Sequence, residues 1–201
     1  MQVDELSFAY PQRPLFSHWS ASIKPGVTLV RGDESSGKST LLKLLAGKLA
    51  ADSGALQIGG IQLDEDASAY RKNVFLADPR SDAFDKITPL QYFASLKPLY
   101  AGFDDAVLGK VATSLGLLPF LEKPLYMLST GSKRKVWLAA AFASGAALTL
   151  LDEPFGALDC VSIGVVLKLL KVAANHPSRA WVVAHYEAPA GVPLAATIDL
   201  E

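Results

Sequence analysis

A glycine- and serine-rich segment, residues 32–40, has the residue types and spacing of a phosphate-binding loop. It satisfies the pattern G-x4-G-K-[ST], follows an apolar strand predicted at residues 27–30 and opens a helix predicted at residues 38–49. In such a loop backbone N–H groups surround phosphate oxygens, Lys38 supplies a mobile cation and the Ser39 hydroxyl can bind Mg²⁺. The residues expected around the phosphates are Gly32, Asp33, Glu34, Ser35, Ser36, Gly37, Lys38, Ser39 and Thr40.

Two carboxylates lie inside this loop, on Asp33 and Glu34. By Coulomb's law they weaken the binding of a polyanion if they point toward it. We therefore expect both side chains at the solvent-facing rim of the loop.

A second acidic feature ends the apolar run at residues 148–151, where Asp152 and Glu153 follow directly. A buried strand that ends in carboxylates presents them at the carboxyl edge of a sheet, beside the phosphate loop. There Asp152 would hold Mg²⁺ through water, and Glu153 would orient or deprotonate an attacking water. Taken alone, the segment is also compatible with a strand that stops at a solvated acidic turn.

The remaining pattern supplies the elements that must position these residues. Residues 2–8 and 15–23 predict a small antiparallel β element, and helical spacing dominates residues 83–145. Later strands alternate with a helix at residues 160–174. The predicted fold is α/β: a P-loop NTPase with a mainly parallel core sheet, the N-terminal β element and an inserted helical subdomain. We expect one domain over residues 1–201, with 1–82 and 146–201 forming the core and 83–145 the helical subdomain.

Composition narrows the classes of function. The chain has 201 residues, half of them apolar, with 19 basic and 20 acidic side chains, so there is enough apolar material for a core but no basic surface for nucleic acid. A single cysteine, Cys160, excludes an intrachain disulfide, and we expect it to fill a small space in the core. The longest uncharged run, residues 136–151, is shorter than the roughly 20 residues of a spanning helix. The N-terminus also lacks the pattern of a secretory signal.

Several further motifs occur in a fixed order along the chain. They are Tyr10, the loop at 32–40, the segment Leu-Ser-Thr-Gly-Ser at 128–132, the acidic strand end at 148–153, Gly-Ala-Leu-Asp at 156–159, and His185. In this order the chain resembles the nucleotide-binding subunit of an ATP-binding cassette (ABC) transporter over nearly its whole length. We call residues 128–132 the signature segment and residues 156–159 the D-loop, after the family.

The resemblance implies ATP and Mg²⁺ as ligands. Glu153, His185 and Lys38 would be the catalytic residues, Tyr10 would stack on adenine, and Ser39 and Asp152 would hold Mg²⁺. It also implies a head-to-tail dimer with ATP sandwiched between two copies. The residues expected to reach the ATP of the other copy are Ser129, Thr130, Gly131, Ser132 and Asp159.

The sequence departs from the family pattern at four positions. Thr130 and Ser132 replace residues of L-S-G-G-Q, and Ser35 stands where a third loop glycine is usual. Asp78 takes the place of a glutamine found where the sheet meets the helical subdomain. An Asp78 carboxylate is a further candidate ligand of Mg²⁺, but it cannot donate a hydrogen bond as an amide does.

Each weaker motif has a simpler interpretation. Tyr10 before Pro11 is compatible with a turn aromatic, and His185 with a structural histidine. Ser129 and the following residues are also typical of a helix N-cap. The basic residues 133–135 lie unfavourably for a helix dipole, so they are either solvated or help to neutralise a triphosphate.

These features predict an ATPase subunit that powers a separate transmembrane permease subunit through ATP-driven dimer closure. Such a subunit would be cytoplasmic and peripheral at the inner face of the membrane, and would not bind nucleic acid. The small size and the run Asp-Glu-Pro-Phe at 152–155 are similar to cassettes of the cytochrome c maturation exporter. The alternatives are a soluble ABC ATPase without a transporter, a regulatory cassette that binds ATP but hydrolyses it poorly, and a P-loop kinase.

Overall fold

The computed structural model describes residues 1–77 and 83–200. Within these ranges the strands form one four-stranded antiparallel sheet and one five-stranded parallel sheet. The strands are β1 (Gln2–Tyr10), β2 (Arg13–Ser22), β3 (Gly26–Arg31), β4 (Ser53–Ile58), β5 (Ile61–Gln62), β6 (Val74–Ala77), β7 (Leu148–Asp152), β8 (Ala180–His185) and β9 (Ala196–Asp199). The helices are α1 (Lys38–Leu45), α2 (Ala67–Lys72), α3 (Pro89–Leu96), α4 (Asp105–Ser114), α5 (Thr130–Ala143) and α6 (Cys160–Ala174). This mixed α/β architecture with a parallel core sheet and a small antiparallel sheet confirms the predicted fold class.

The parallel sheet has the strand order β6-β7-β8-β3-β9. All of β8 and all of β3 except Arg31 are buried, as expected for strands that are covered on both faces. Parallel strands direct all their carboxyl ends to one edge, so the segments that follow β3, β7 and β8 meet there. The phosphate loop follows β3. Glu153 follows Asp152, the last residue of β7, and Tyr186 follows His185, the last residue of β8.

The antiparallel sheet has the order β2-β1-β4-β5 and lies on the apolar side of α1. It contains the predicted pair β1 and β2, together with β4 and β5, which the sequence pattern did not predict. Gly59 and Gly60 join β4 to β5 with positive φ angles of 58° and 83°, the conformation of a two-residue hairpin turn. β5 has only two residues, but Gly59-Gly60 after the alternating end of β4, where Leu56 and Ile58 are buried, was the signal that could have identified this hairpin.

Among the described residues, three α-helices follow β6 and precede β7, in the region predicted to be helical. Thr88 and Gln91 form a reciprocal capping box at the start of α3, and the Asp104 carboxylate accepts two backbone N–H groups of α4. The third helix begins at Thr130, and Ser129 caps it, as the N-cap pattern of this segment indicates. The subdomain boundaries at 83 and 145 stay predictions.

Two further expectations need correction. Helix α1 ends at Leu45 and not at residue 49, since Gly47 adopts a left-handed φ of 61° just beyond the last turn. Cys160 does not fill the core: it is exposed, because it is the first residue of α6 after the N-cap Asp159. None of the helices in the described ranges is long and apolar enough to cross a membrane.

Candidate functional site

The phosphate loop closes around the side chain of Lys38. The Lys38 ammonium donates hydrogen bonds of 2.7 Å to the carbonyl oxygens of Gly32 and Asp33, and the residue is buried. Gly37 precedes α1 with a φ of 98°, which places the helix N-terminus directly behind the loop. A buried cation and a helix N-terminus facing one loop form a site for anionic phosphate oxygens.

The outer part of the loop faces solvent. Asp33 and Glu34 are both exposed, as expected, but only Asp33 avoids the cavity in front of the loop, because Glu34 lines it. Ser35 is also exposed and has a φ of 66°, a left-handed conformation that favours glycine and costs a side-chain-bearing residue roughly 1 kcal/mol. This backbone conformation explains why glycine is usual at the position, and Ser35 adopts it with a hydroxymethyl side chain where glycine has a hydrogen.

Ser39 and Asp152 are brought together across the loop and strand β7. The Ser39 hydroxyl donates a 2.7 Å hydrogen bond to Asp152 Oδ2. Asp152 Oδ1 is buried and accepts no hydrogen bond from the described residues, and the same is true of the buried Ser36 hydroxyl. An unpartnered carboxylate oxygen beside a serine hydroxyl fits Mg²⁺, which takes one or two protein oxygens together with water and substrate phosphates. The candidate ligand Asp78 lies outside the described residues.

Glu153 and His185 form the centre of the site. The Glu153 carboxylate lies 2.6 Å from His185 Nδ1, and its other oxygen lies 4.0 Å from the Lys38 ammonium. His185 is the last residue of β8, and Asp152 pairs with Ala184 across the neighbouring strands, so Glu153 and His185 leave the sheet at the same level. Glu153 has a φ of 45°, which turns the chain sharply after β7. The buried His185 ring contacts Glu153 beside the phosphate loop, and its catalytic role stays a prediction.

A cavity of about 710 Å³ lies in front of the loop. Tyr10 lines it, with its hydroxyl 3.3 Å from the Thr40 hydroxyl and its ring edge-on to Phe8. Arg13 and Leu15 line the same cavity but were missed in the sequence. Arg13 pairs with Tyr10 in the β1–β2 hairpin, so the turn between them was the signal that could have identified it.

Tyr186 is a further residue that sequence reasoning missed. It is 62 % exposed and its ring centroid lies 4.3 Å from that of His185, while Phe155 lies 5.3 Å from His185. The neighbouring Glu187 carboxylate raises the Tyr186 pKa through its charge and a hydrogen bond. Tyr186 therefore covers the His185 ring on the cavity side. Its position immediately after the histidine was the only sequence signal.

The signature segment is a helix N-terminus, as its capping pattern indicates. Ser129 accepts a hydrogen bond from the Ser132 amide at 3.2 Å, and the two hydroxyls lie 3.0 Å apart. A Cβ atom added at Gly131 would lie 2.4 Å from the carbonyl oxygen of Ala157 in the D-loop. Among the described residues that line the phosphate-loop cavity, none comes from 128–132. Within one chain, the structure does not bring the signature segment and the phosphate loop into one cavity.

The basic residues after the signature segment have carboxylate partners within the chain. Lys133 bonds Asp85 at 2.6 Å and Lys135 bonds Asp159 at 2.7 Å, and their side chains are only 23 % and 17 % exposed. The expectation of simple solvation is therefore wrong for both lysines, because each lysine pairs with a carboxylate of another segment. The Lys135 hydrogen bond and the Ser162 backbone amide lower the Asp159 pKa well below its usual range. Asp159 is thus engaged in its own chain, and its contact with the ATP of another copy stays a prediction.

Comparison with known proteins agrees with the resemblance. The family model described as ABC transporter matches residues 16–156. The cytochrome c biogenesis ATP-binding export protein CcmA of Rhodospirillum rubrum is 34 % identical over 173 residues, which cover 86 % of this chain and 72 % of the relative. The energy-coupling factor transporter ATP-binding protein EcfA1 of Fusobacterium nucleatum is 31 % identical over 178 residues, 85 % of this chain and 67 % of the relative.

The fold has a solved counterpart in a dimeric ATP-binding cassette in a post-hydrolysis state, bound to ADP and phosphate. The TM-score is 0.78 at 20 % identity, with 92 % of this chain and 88 % of that chain covered. The family match spans more than half of the chain and includes the phosphate loop, the signature segment and Glu153. The chain therefore belongs to the ABC transporter family and is similar to its ATP-binding subunits.

Proposed function

We propose that this chain is the ATP-hydrolysing subunit of a transporter and acts as a head-to-tail dimer that drives a separate membrane subunit. The observation that carries the proposal is the convergence of Lys38, Ser39, Asp152, Glu153 and His185 at one edge of the parallel sheet. This set contains a phosphate-binding cation, two Mg²⁺-type ligands and a carboxylate paired with an imidazole. Together they match what phosphoryl transfer to water requires.

The roles follow from the contacts of each side chain. Lys38 exchanges its bonds to Gly32 and Asp33 for phosphate oxygens, which neutralises charge where the terminal phosphoryl group leaves. Ser39 and Asp152 hold Mg²⁺, which supplies charge neutralisation at the phosphates when it is bound. Glu153 accepts a proton from, or orients, the attacking water, and the His185 ring, 2.6 Å from the carboxylate, fixes its position.

The dimer follows from what one cavity lacks. The described lining of the phosphate-loop cavity includes Tyr10, Lys38 and Glu153 but no residue of the signature segment. The start of α5 is an exposed helix N-terminus with two serine hydroxyls, which is a suitable ligand set for a γ-phosphate. A second copy would therefore complete each site. An intact pair of Glu153 and His185 argues against a regulatory cassette without hydrolysis.

The membrane partner has a candidate docking surface, which we call the aromatic groove. It has a volume of about 230 Å³ and lies where the parallel sheet meets helices α3 and α5. The aromatic and leucine residues that line it are Phe75, Leu76, Phe84, Tyr92, Leu96, Leu99, Tyr100 and Trp137. Lys48 and Arg71 supply cations on its wall, so the occupant we propose is a short apolar segment of the membrane subunit that carries an acidic residue.

The test compares turnover of Mg-ATP with protein concentration for the purified chain and for Glu153→Gln, with sizing in the presence of ATP. We expect turnover per subunit to rise with concentration, and the mutant to lose at least about a hundredfold in turnover while it retains an ATP-bound dimer. Glu122→Gln is the matched control, since it makes the same chemical change at an exposed carboxylate on another surface. ATP binding without turnover or dimer at any concentration would refute the proposal and favour the regulatory cassette.

A further inference from the structure

Residues 83–87 lie between the aromatic groove and the start of α5. On one side Phe84 lines the groove, with its ring centroid 4.9 Å from that of Tyr92 and 5.8 Å from that of Trp137. On the other side, the adjacent residue Asp85 bonds Lys133 in the first turn of α5. Two consecutive residues therefore contact two different surfaces.

The segment is also tied by its backbone to the approach to the signature segment. The Tyr126 amide donates to the Asp85 carbonyl, and the Leu125 amide donates to the Ile87 carbonyl, both at 2.9 Å. Residues 125 and 126 lead directly into Leu128 and Ser129. A displacement of residues 84–87 would thus be passed to both sides of the helix start, through Leu125 and Tyr126 before it and Lys133 after it.

The ion pair between Lys133 and Asp85 is partly buried, which makes it a strong contact between residues 84–87 and α5. The Lys133 and Asp85 side chains are 23 % and 29 % exposed, compared with 49 % and 66 % for the pair of Lys97 and Asp105. Partial burial reduces screening by water and salt, so this pair is coupled more strongly than an exposed one. Lys133 also donates its amide to the Ser129 carbonyl at 2.9 Å, so its side chain and its backbone fix the same helical turn.

The electrostatics of the helix start point the same way. A lysine in the first turn of a helix is unfavourable because the N–H groups there carry partial positive charge. The Asp85 carboxylate offsets this charge, because it bonds the Lys133 ammonium at 2.6 Å. If the pair were broken, Lys133 would lie unpaired beside residues 129–132, and the helix start would be free to fray.

We propose that the Lys133–Asp85 ion pair is the link by which occupancy of the aromatic groove changes the position of residues 129–132, so that both residues act as positioning residues for ATP hydrolysis. Two steps rest on the proposed function, namely that a membrane subunit occupies the groove and that residues 129–132 meet the ATP of another copy. The mechanical link itself is a property of the single chain. A membrane subunit in the groove would then regulate hydrolysis by moving Phe84.

A competing route exists, because Trp137 of α5 also lines the groove. Trp137 lies about two turns beyond the helix start, so a change transmitted there moves the body of α5 and bypasses Lys133. The two routes predict different double-mutant behaviour. Transmission through the ion pair requires that a groove mutation lose its effect at the helix start once Lys133 is replaced.

The first measurement is amide hydrogen exchange of residues 129–133 in the full chain without nucleotide. We expect Lys133→Met and Asp85→Asn to accelerate exchange there by about fivefold, the effect of losing a partly screened ion pair. The charge-swapped double variant, Asp85→Lys with Lys133→Asp, should recover at least half of the protection. Lys97→Met is the matched control: it removes a lysine from a 2.8 Å ion pair between α3 and α4 and should leave these amides unchanged.

The second measurement tests transmission from the groove. Phe84→Ala should accelerate exchange at residues 129–133 in the otherwise unchanged chain, and should add less than about half of that effect in the Lys133→Met background. In the Glu153→Gln background, Lys133→Met should raise the protein concentration at which half of the chains form the ATP-dependent dimer by about fivefold. The affinity of the monomer for ATP should stay within about twofold of its value without Lys133→Met.

Two outcomes would overturn the inference. One is that Lys133→Met and Asp85→Asn leave amide hydrogen exchange at residues 129–133 no faster than the control Lys97→Met does. The other is an effect of Phe84→Ala that is equal with and without Lys133, which would assign transmission to Trp137. If the unmutated chain forms no dimer with ATP, the proposed function fails, whereas the exchange data still decide whether the ion pair links the groove to the helix start.

Discussion

Gly131→Ala tests whether the signature segment and the D-loop are in the tight contact described above. A Cβ atom at residue 131 would lie 2.4 Å from the Ala157 carbonyl oxygen, and this separation must open by about 1 Å to reach the 3.4 Å at which ordinary contact begins. The obstacle is backbone, and Ala157 is held in a left-handed conformation with φ of 57°. The clash is therefore not relieved by rotating a side chain.

The expected change in the free energy of unfolding is the sum of two opposing contributions, the cost of the clash and the gain in helix propensity. Forcing an extra methyl group into a packed contact costs about 1–3 kcal/mol, while replacing glycine by alanine in a helix stabilises by about 0.5–1 kcal/mol. Gly109→Ala isolates the second term, since residue 109 lies inside α4 and an added Cβ atom meets nothing within 4 Å. The difference between the two variants, about 1–3 kcal/mol, is then the cost of the contact with Ala157.

The assay is the midpoint of thermal unfolding for both variants and the parent chain under identical conditions. For a chain of this length 1 kcal/mol corresponds to about 2–4 °C, so Gly131→Ala should unfold at least about 2 °C below Gly109→Ala. Gly109→Ala should lie at or above the parent. Equal midpoints for Gly131→Ala and Gly109→Ala would refute the close approach of the helix start to the D-loop.

Two further predictions concern residues outside the recognised motifs. Tyr186→Ala should lower turnover of ATP by about tenfold in steady-state kinetics, with little change in ATP affinity. Tyr186→Phe should retain turnover, because the ring and not the hydroxyl covers His185. An equal loss of turnover in both variants would contradict this role. His176 accepts hydrogen bonds at Nδ1 from the amides of Ser178 and Arg179, and burial lowers its pKa, so the unfolded chain binds the proton first. The free energy of unfolding should therefore be constant above about pH 6.5 and decline as the pH falls below it. In denaturant titrations at several pH values, His176→Gln should make this decline smaller. An unchanged dependence of the free energy on pH would exclude His176 as its source.

The phosphate loop, the acidic end of β7 and the ATP-binding family could be predicted from the sequence because each depends on short-range chemistry. G-x4-G-K-[ST] needs only local backbone geometry, and an apolar run that ends in Asp152 and Glu153 already indicates the carboxyl edge of a sheet. The helix cap at Ser129 is equally local. The exposure of Asp33 and Glu34 could also be predicted, because carboxylates that point toward a polyanion would repel it.

The remainder depended on contacts between distant parts of the chain. The pairing of Glu153 with His185 requires the order of β7 and β8 in the sheet, and the partners of Lys133 and Lys135 lie 48 and 24 residues away. Tyr186 and Arg13 carry no motif of their own, and their place in the cavity lining shows that they belong to the site. The sequence by itself determined which chemistry this chain carries, since phosphate and Mg²⁺ ligands are specified by residue type and local spacing. Only the tertiary structure decided which side chains hold that chemistry in place, because ion pairs and ring contacts across segments depend on distances that no local pattern encodes.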